Sequence, residues 1–331
     1  MCRGVICKQP CCEPRSRDPG PVTLPCVELL ASDLPAWLLL AWALAFGAIW
    51  GSFFNVAIYR WPREMSVVRP ASHCPHCNTP VALRHNVPVL GYLWLRGRTA
   101  CCRQPLSPRY AIVEAVSAVL CAAIVRRFVI DAPDDALLLR SVLIAGVYFC
   151  FVGGLIIATF VDLEFMEIPD EVSLPGAALG LVSAVFRDQP GPEAALLGAG
   201  GGYLVIQLVF VWAYELLTGR RGMGEGDSKL LLMIGAFLGW QGALFAVFAG
   251  ATQGLLTFVM TRVTELFAGR AGHEPAASAE TAPTESDDEL PAQYWGHKKL
   301  PFGPFLALGA LEFLFFGEPL VDAWFRLVQG T

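Results

Sequence analysis

Residues Leu230–Thr261 read LLLMIGAFLGWQGALFAVFAGATQGLLTFVMT, a run of 32 residues without a charged side chain. A helix needs roughly 20 apolar residues to cross a bilayer, so this run is too long for a single crossing. It therefore predicts two membrane-spanning helices that meet near Trp240-Gln241-Gly242. The stretch decides the fold class, because a bilayer demands charge-free segments of the helices that cross it.

Other parts of the chain repeat this pattern. Further charge-free runs cover Leu34–Tyr59, Ser141–Val161 and Ala194–Tyr214. Hydrophobic residues make up 55% and charged residues 16% of the 331 residues, and the mean hydropathy is +0.51. A soluble domain carries about a quarter charged residues. We therefore predict an all-α polytopic membrane protein.

We expect about eight transmembrane helices, with a small Cys-containing domain between the first and the second. Their approximate bounds are Pro35–Tyr59, Tyr110–Val125, Ser141–Val161, Val172–Phe186, Ala194–Leu217, the two halves of Leu230–Thr261, and Phe302–Phe316. The segment 60–109 carries eight arginines and one acidic residue, Glu64. Because short basic loops stay on the cytoplasmic side, we place this segment in the cytoplasm and the N-terminus outside.

The chain divides into six parts. Residues 1–33 form an irregular tail, rich in Pro, Arg and Cys, without the apolar core of a signal peptide. Residues 266–299 form an acidic linker whose polar composition predicts disorder. The remaining parts are the first span at 34–59, the basic Cys-containing domain at 60–109, a membrane core at 110–265, and the last span with the C-terminus at 300–331.

Two aspartates stand at predicted span ends. Asp162 ends the third span, and Asp227 lies in the sequence GMGEGDSK directly before the sixth. In the predicted topology both reach the cytoplasmic membrane face. Two carboxyl groups brought together share a proton, so one can act as a base on a bound water while the other acts as an acid toward a substrate carbonyl. The pattern predicts a metal-free peptide-hydrolysis site, where Gly222, Gly224 and Gly226 let a substrate backbone come close.

Alternatives for these residues stay open. Asp162 could only mark a polar span end, and the glycine-rich stretch could be a plain turn. Three further carboxylates compete for the catalytic role: Glu164, Glu167 and Asp170. Lys229 either biases the proton sharing at Asp227 or anchors the span end at the membrane surface. Glu114, inside the second span, is expected to pair with a neighbouring arginine.

Four cysteines fall in the basic segment, Cys74 and Cys77 in a CxxC pair and Cys101 and Cys102 side by side. A CxxC spacing lets two thiolates bind one metal ion, and a second pair completes a tetrahedral zinc site. Adjacent cysteines chelate one ion poorly, because successive side chains diverge. We expect Cys74, Cys77, Cys101 and Cys102 as the ligands, with Cys101 turned in as the third, and His73 and His76 are the possible substitutes. The cluster predicts a structural zinc site, and the alternative is a degenerate cluster that holds no metal.

Several motifs together resemble the type IV prepilin peptidase family. The stretch GMGEGDSKLL resembles its GxGD motif, and Asp162–Asp170, which ends in Ile-Pro-Asp, resembles its other aspartate motif. Four more matches follow in the family's order: Gly51–Pro62, His85–Gly91, Ser107–Glu114 and Pro301–Gly309. The resemblance covers the chain from about residue 45 to 325.

This resemblance implies a membrane aspartic endopeptidase of the bacterial inner membrane with Asp162 and Asp227 as its catalytic pair. It implies cleavage after a glycine that ends a short basic leader, just before a hydrophobic helix, in type IV prepilins or type II secretion pseudopilins. Many members also methylate the new N-terminus with S-adenosylmethionine, a step linked to a glycine that Gly97 matches. The family's second cysteine pair is also CxxC, whereas Thr99 stands here in place of the third cysteine.

Two other function classes fit part of the sequence. Interrupted spans with intramembrane acids also suit a transporter or channel, but that class has no use for a basic Cys-containing loop. The second class is a catalytically inactive, zinc-stabilised membrane scaffold, against which the intact pair of Asp162 and Asp227 counts. Besides its substrate, we expect the chain to contact membrane lipid and no nucleic acid.

Overall fold

The structure, a computed structural model, describes residues 34–69, 72–74, 77, 79–82, 86–133, 136–219, 224–268 and 301–329. The α-helices in these ranges are α1 (Ala36–Arg60), α2 (Leu90–Trp94), α3 (Arg109–Val125), α4 (Leu138–Phe165), α5 (Asp170–Ser183), α6 (Pro192–Val205), α7 (Tyr214–Thr218), α8 (Glu225–Ala268) and α9 (Gly303–Gln329). Two π-helical stretches, Arg126–Ile130 and Ile206–Ala213, extend α3 and α6. The described residues form no β-strand and only two isolated bridges, which confirms the all-α prediction. The predicted tail 1–33, residues 269–299 of the predicted linker, and Gly222 lie outside the described residues.

The predicted spans fall on α1, α3, α4, α5, the continuous helical stretch from α6 to α7, the two halves of α8, and α9. Four helical stretches are long and apolar enough to cross a membrane, by length and composition: Ala36–Arg63, Leu138–Phe165, Pro192–Leu217 and Glu225–Thr264. Gly303–Gly317 is a shorter apolar helix. A membrane protein is therefore supported, while the count of eight crossings stays a prediction.

The long helix α8 breaks at Gly239. This residue has φ 73° and ψ −176°, a conformation that other residues rarely adopt. The predicted meeting point of two helices, Trp240-Gln241-Gly242, begins at the next residue. The break thus divides Leu230–Thr261 into two helical segments, as the length of its charge-free run predicts.

Helices α1 and α3 pack antiparallel and bring their ends together. A Cβ atom on Gly51 would lie 2.7 Å from the Cα atom of Glu114. Nearer the end of α1, the Asn55 amide donates a hydrogen bond of 3.0 Å to the carbonyl oxygen of Tyr110. Because residue numbers rise along α1 as they fall along α3, the segment 61–108 leaves and rejoins the helices on one side.

Helix α4 lies at the centre of the bundle. It contacts α1, α3, α5, α8 and α9, and its residues from Phe151 to Ala158 are all buried. Helix α6 approaches α8 through two glycines, since a Cβ atom on Gly235 would lie 2.2 Å from the carbonyl oxygen of Gly198. Small residues of this kind allow membrane helices to pack backbone against backbone.

A buried arginine satisfies backbone carbonyls at the other side of the bundle. Arg187 is only 5% exposed, and it follows α5. It donates four hydrogen bonds of 2.8 to 3.0 Å, to the carbonyl oxygens of Gly180, Ala236 and Phe237 and to the hydroxyl of Tyr148. Two of these carbonyls belong to the turn before the break at Gly239, where a helix loses its regular partners. Arg187 therefore ties α5 and α4 to the broken end of the first half of α8.

Candidate active site

The two aspartates line one cavity on the side where the segment 61–108 emerges. Asp162 lies in the last turn of α4, and Asp227 is the third residue of α8. Their side chains are 6% and 9% exposed, and both line a cavity of about 510 Å³. Trp61 at the end of α1 and Ile168 in the loop between α4 and α5 form further walls. The structure therefore brings together two carboxyl groups that are far apart in the sequence.

The local backbone explains why Asp162 stands at the end of its helix. Helix α4 ends at Phe165, and the next residue, Met166, has a left-handed conformation (φ 59°) in which its N–H donates to the carbonyl oxygen of Asp162. Pro169 is extended, and α5 begins at the next residue. A proline disfavours helical geometry in the residue before it, so α4 does not continue through Ile168. The chain turns back directly after the aspartate.

A backbone amide holds each of the two carboxylates. The N–H of Gly303, the first residue of α9, donates a hydrogen bond of 2.9 Å to the Oδ2 atom of Asp162. The N–H of Gly224 donates to the carboxylate of Asp227. Gly303 has no room for a side chain, since a Cβ atom would lie 2.6 Å from the Oδ2 atom of Asp162. The N-terminus of α9, whose free amides favour a negative charge, thus rests against this carboxylate.

Two of the three competing carboxylates form ion pairs. Asp170 accepts hydrogen bonds of 2.6 and 2.7 Å from the Nζ atom of Lys229. Glu164 pairs with Arg109, the first residue of α3. Glu167 lines the cavity with an exposed side chain. Neither sequence-based alternative for Lys229 anticipated its pairing with Asp170.

The expectation that Glu114 pairs with a neighbouring arginine is wrong. Its Oε2 atom accepts a hydrogen bond of 2.7 Å from the N–H of Val89, and the hydroxyl of Ser52 in α1 also donates to it. Arg109, five residues earlier, is engaged with Glu164. The Glu114 carboxylate therefore fastens the chain just before α2 to the pair of α1 and α3.

The four predicted metal ligands form one cluster. Their Sγ atoms all lie within 4.8 Å of one another. The separation is 3.7 Å between Cys74 and Cys102 and 3.2 Å between Cys77 and Cys101. Four thiolates bound at about 2.3 Å to a tetrahedral zinc ion lie roughly 3.8 Å apart. The cluster therefore has the donor set and the size of a zinc site, and the expectation that adjacent cysteines diverge is wrong here.

Two loops of the same design present these sulfur atoms. In the first loop, the N–H of Cys74 donates to the carbonyl oxygen of Thr79 at 2.9 Å. In the second, the N–H of Thr99 donates to the carbonyl oxygen of Gln104 at 2.8 Å. An isolated bridge closes each loop, between residues 73 and 80 and between residues 98 and 105. Thr99 thus takes in the second loop the place that Cys74 has in the first.

Cys102 has in the second loop the place that Cys77 has in the first. Cys101 has no cysteine counterpart in the first loop and supplies the fourth sulfur of the cluster. The hydroxyl of Thr99 lies 3.1 Å from the Sγ atom of Cys102 and lowers the pKa of that thiol. The hydroxyl of Thr79 likewise lowers the pKa of Cys77 to about 6. The neighbouring Cys77 sulfur raises the pKa of Cys101 to about 12. The two threonine hydroxyls therefore favour the thiolate forms of Cys77 and Cys102.

Gly97 closes the second loop. It has a left-handed conformation (φ 69°), its N–H donates to the carbonyl oxygen of Tyr92, and its own carbonyl accepts from Leu106. A Cβ atom at this position would lie 2.9 Å from the hydroxyl oxygen of Tyr92. The space beside Gly97 is thus filled by Tyr92, and the visible role of this glycine is to shape the loop.

Two contacts near the aspartates were not predicted from the sequence. One is the hydrogen bond from Gly303 to Asp162, and the other is the ion pair of Arg109 with Glu164. The sequence holds a signal for the first contact, because the pair Gly303-Pro304 begins the last apolar helix. The second joins residues 55 positions apart, and no local pattern marks such a pair.

Two family models match the chain, one described as the Bacterial Peptidase A24 N-terminal domain over residues 45–128 and one as the Type IV leader peptidase family over residues 149–259. A protein of Aeromonas hydrophila named Prepilin leader peptidase/N-methyltransferase is 33% identical over 328 residues, which cover 89% of this chain and 96% of the relative. Proteins of the same name from Burkholderia pseudomallei (32% over 315 residues, 86% and 88% covered) and Klebsiella pneumoniae (38% over 201 residues, 59% and 83% covered) are also similar. No solved structure matches the chain significantly.

Proposed function

The chain belongs to the type IV leader peptidase family, and we propose that it removes the leader of prepilins with Asp162 and Asp227 as its catalytic carboxyl groups. The observation that carries this assignment is the meeting of two buried carboxyl groups in one cavity. Family membership makes the chain an enzyme, and the printed names of its relatives supply the substrate class.

In the proposed reaction the two carboxyl groups share one proton. The ionised group takes a proton from a water molecule, whose oxygen attacks the carbonyl carbon of the scissile peptide, while the protonated group gives its proton to the carbonyl oxygen. The intermediate then collapses: one of its hydroxyl groups returns a proton to the ionised carboxyl group, the C–N bond breaks, and the leaving amine takes the proton of the other carboxyl group. The amides of Gly303 and Gly224 orient the two carboxylates for these transfers.

The charges around the cavity support a basic leader as the bound segment. Glu64, Glu167 and Glu171 line it with exposed side chains. Lys229, which also lines it, is paired with Asp170. We propose that the leader lies along these acids and that the hydrophobic helix after the scissile bond lies among the apolar helices. Cleavage after a glycine, and type II secretion pseudopilins as further substrates, are proposed from the resemblance.

We also propose that Cys74, Cys77, Cys101 and Cys102 hold a structural zinc ion. The four sulfurs have a spacing that fits a tetrahedral site, and they do not line the cavity of the aspartates. Zinc would stabilise the two loops, because a segment of this size has little apolar core of its own. It has no part in the proposed hydrolysis.

Methylation of the new N-terminus with S-adenosylmethionine is proposed from the name of the relatives. S-adenosylmethionine would supply the methyl group. Because Tyr92 fills the space beside Gly97, this glycine would act by shaping its loop and not by touching the cofactor.

The proposed placement of the chain in the membrane follows from the distribution of arginines in the sequence. We place the chain in the bacterial inner membrane with eight spans, and residues 60–109 in the cytoplasm. The cavity supports this arrangement, because Trp61 and Glu64 at the start of that segment line it together with both aspartates. The leader, the catalytic pair and the basic segment would then share one side of the membrane.

Co-expression with a prepilin tests the proposed function. The pilin is followed by gel shift and mass spectrometry with the wild type, Asp162→Asn, Asp227→Asn and, as a control on the other side of the bundle, Asp188→Asn. We expect the leader to be lost with the wild type and the control only, and a mature chain heavier by one methyl group where methylation follows. A wild type that leaves every tested prepilin intact would overturn the proposal.

A further inference from the structure

We propose that residues Val87–Trp94 form a membrane-surface anchor, an apolar segment that lies in the lipid leaflet beside α1 and α3 and from which the Cys-containing loops project into the water. The proposal rests on the membrane placement of the chain and is independent of which residues perform catalysis. Its occupant is lipid, and neither the cavity of the aspartates nor the metal ligands are involved.

The first observation is an exposed apolar face. Leu90, Leu93 and Trp94 are 62%, 63% and 83% exposed, and Val87 just before them is 44% exposed. In a helix, positions i, i+3 and i+4 lie on one face, so the three residues of α2 point the same way. Gly91 on the other face is buried. An exposed apolar patch of this kind marks a surface that another apolar phase covers.

The second observation is the depth at which this segment lies. The N–H of Val89 donates to the Glu114 carboxylate at 2.7 Å. The Cα atom of Glu114 stands level with Gly51, nine residues before α1 ends at Arg60. At 1.5 Å per residue, this level is about 13 Å below the end of the helix. The hydroxyl of Ser52, eight residues before that end, also donates to this carboxylate, so Val89 lies beside the last turns of α1 and the segment folds back along the membrane helices.

The third observation is a strained turn of the backbone at Val89. Val89 has φ 60° and ψ −52°, and the N–H of Leu90 donates to the carbonyl oxygen of Pro88 at 2.6 Å. This is a tight three-residue turn that is rare and strained, the more so for a β-branched residue. Strain of this kind persists only where the surroundings hold it. Here the N–H of Val89 is bound by Glu114, and backbone hydrogen bonds from Gly91 to Val87 and from Leu93 to Val89 also span the turn.

The neighbouring residues favour lipid as the covering phase. Arg96 and Arg98, directly after α2, are exposed and can reach anionic headgroups. Trp94 is of the residue type that concentrates at membrane interfaces. On α3, Ile112 and Val116 flank Glu114 and are 49% and 38% exposed, so apolar surface borders the place where the segment is attached. Apolar residues on a basic background are the composition of a segment that lies in the interface plane.

Lipid quenching of a probe in the full-length protein tests the anchor. The protein carries a genetically encoded fluorescent amino acid at position 94, or at the exposed loop position 104 as a control, in nanodiscs with ordinary or brominated acyl chains. We expect the probe at 94 to lose most of its fluorescence with brominated lipid and the probe at 104 to lose little. Equal quenching at both positions would overturn the proposal. So would a probe at 94 that ignores brominated lipid and responds instead to an added prepilin, because the patch would then bind substrate.

Variants of Glu114 test how the anchor is held. Glu114→Gln still offers an oxygen to the N–H of Val89, so we expect quenching at 94 to persist. Glu114→Ala removes the acceptor, so we expect the quenching at 94 to fall toward the level of position 104. Quenching at 94 that is the same in Glu114→Ala as in the wild type would show that Glu114 does not set the depth of this segment.

Discussion

The backbone N–H of Gly303 donates a hydrogen bond of 2.9 Å to the Oδ2 atom of Asp162, so the last helix begins against one carboxyl group of the proposed pair. Asp162 ends α4 and Gly303 begins α9, which places two distant parts of the chain in direct contact. A hydrogen bond to a charged acceptor is short and directional, and it fixes the plane of the carboxylate. The geometry of the site therefore depends on how α9 docks.

Replacement of Gly303 by alanine should impair cleavage more than folding. The new Cβ atom would lie 2.6 Å from the Oδ2 atom of Asp162, so the carboxylate must move. A displacement of about 1 Å at a catalytic group can cost on the order of a hundredfold in rate. The measurement is the rate of prepilin cleavage by purified protein. Gly146→Ala is the matched control, since its Cβ atom meets nothing within 4 Å; a Gly303→Ala variant as active as this control would contradict the account.

The ion pair of Arg109 and Glu164 should couple the start of α3 to the end of α4. Both side chains are 18% exposed, so removal of one partner leaves a poorly solvated charge. We expect Arg109→Gln and Glu164→Gln each to lower the free energy of unfolding by about 1–3 kcal/mol, and the double variant to lose no more than one of them. Thermal unfolding in detergent measures this cycle.

The exposed pair of Arg126 and Asp131 serves as the control for that cycle. Its side chains are 70% and 58% exposed and 3.7 Å apart, so a coupling near zero is expected. If the double variant Arg109→Gln/Glu164→Gln loses the sum of the two single losses in the free energy of unfolding, as the control pair should, the contact does not join the two helices.

Cys101 should be essential for metal binding, and a cysteine at position 99 should replace it. Thr99 occupies the place equivalent to Cys74, and its hydroxyl lies 3.1 Å from the Sγ atom of Cys102. We expect Cys101→Ala to lose bound zinc and Cys101→Ala combined with Thr99→Cys to regain it, with the zinc content per chain measured by elemental mass spectrometry. Cys150→Ala, outside the cluster, should keep the wild-type content. Full zinc content in Cys101→Ala would contradict the assignment of Cys101 as a ligand.

Arg187 should contribute more to stability than any exposed arginine. A lysine there has one ammonium group and cannot serve three carbonyl oxygens and a hydroxyl at once. The carbonyl oxygen of Gly180 keeps its bond from the N–H of Ala184, but those of Ala236 and Phe237 lie at the helix break. Loss of a donor costs about 1–3 kcal/mol at each, so we expect Arg187→Lys to lower the unfolding temperature clearly. Arg140→Lys is the control, because Arg140 is 53% exposed and its pair with Asp188 is a surface contact. Equal unfolding temperatures for the two variants would refute this role.

The sequence predicted the helices and their break because membrane crossing is a local property of the chain. A helix that crosses a bilayer has to be free of charges, so charge-free runs mark the helices. The run Leu230–Thr261 is too long for one crossing, and the break it predicts lies within one residue of Gly239. The meeting of Asp162 and Asp227 followed from the same topology, since both stand at helix ends on one side. The sequence alone did not show that the competing carboxylates Asp170 and Glu164 form ion pairs with Lys229 and Arg109.

The contacts that were missed depend on tertiary geometry. The partner of Glu114 is the amide of Val89, and a backbone partner leaves no residue-type signal in a sequence. The divergence expected of adjacent cysteines holds for extended and helical chains. Residues 98–105, however, form a tight loop in which Arg103 has φ 56°, and Cys101 and Cys102 reach the same cluster. A local rule fails where a loop turns the backbone.

Three single substitutions in the cavity test whether Asp162 and Asp227 are the catalytic pair. Purified full-length protein cleaves a prepilin in nanodiscs, and the rates of Asp162→Asn, Asp227→Asn and Asp170→Asn are measured against the wild type. Asp170 lines the same cavity but is paired with Lys229, so it controls for the loss of a nearby negative charge.

We expect Asp162→Asn and Asp227→Asn each to lower the rate by about 10² to 10⁴-fold, as the loss of a general acid or base does. We expect Asp170→Asn to lose less than about tenfold, because a partly exposed ion pair is worth about 0–1 kcal/mol. Near wild-type cleavage by Asp162→Asn or by Asp227→Asn, or a loss in Asp170→Asn as large as theirs, would contradict the assignment of these two aspartates as the catalytic pair.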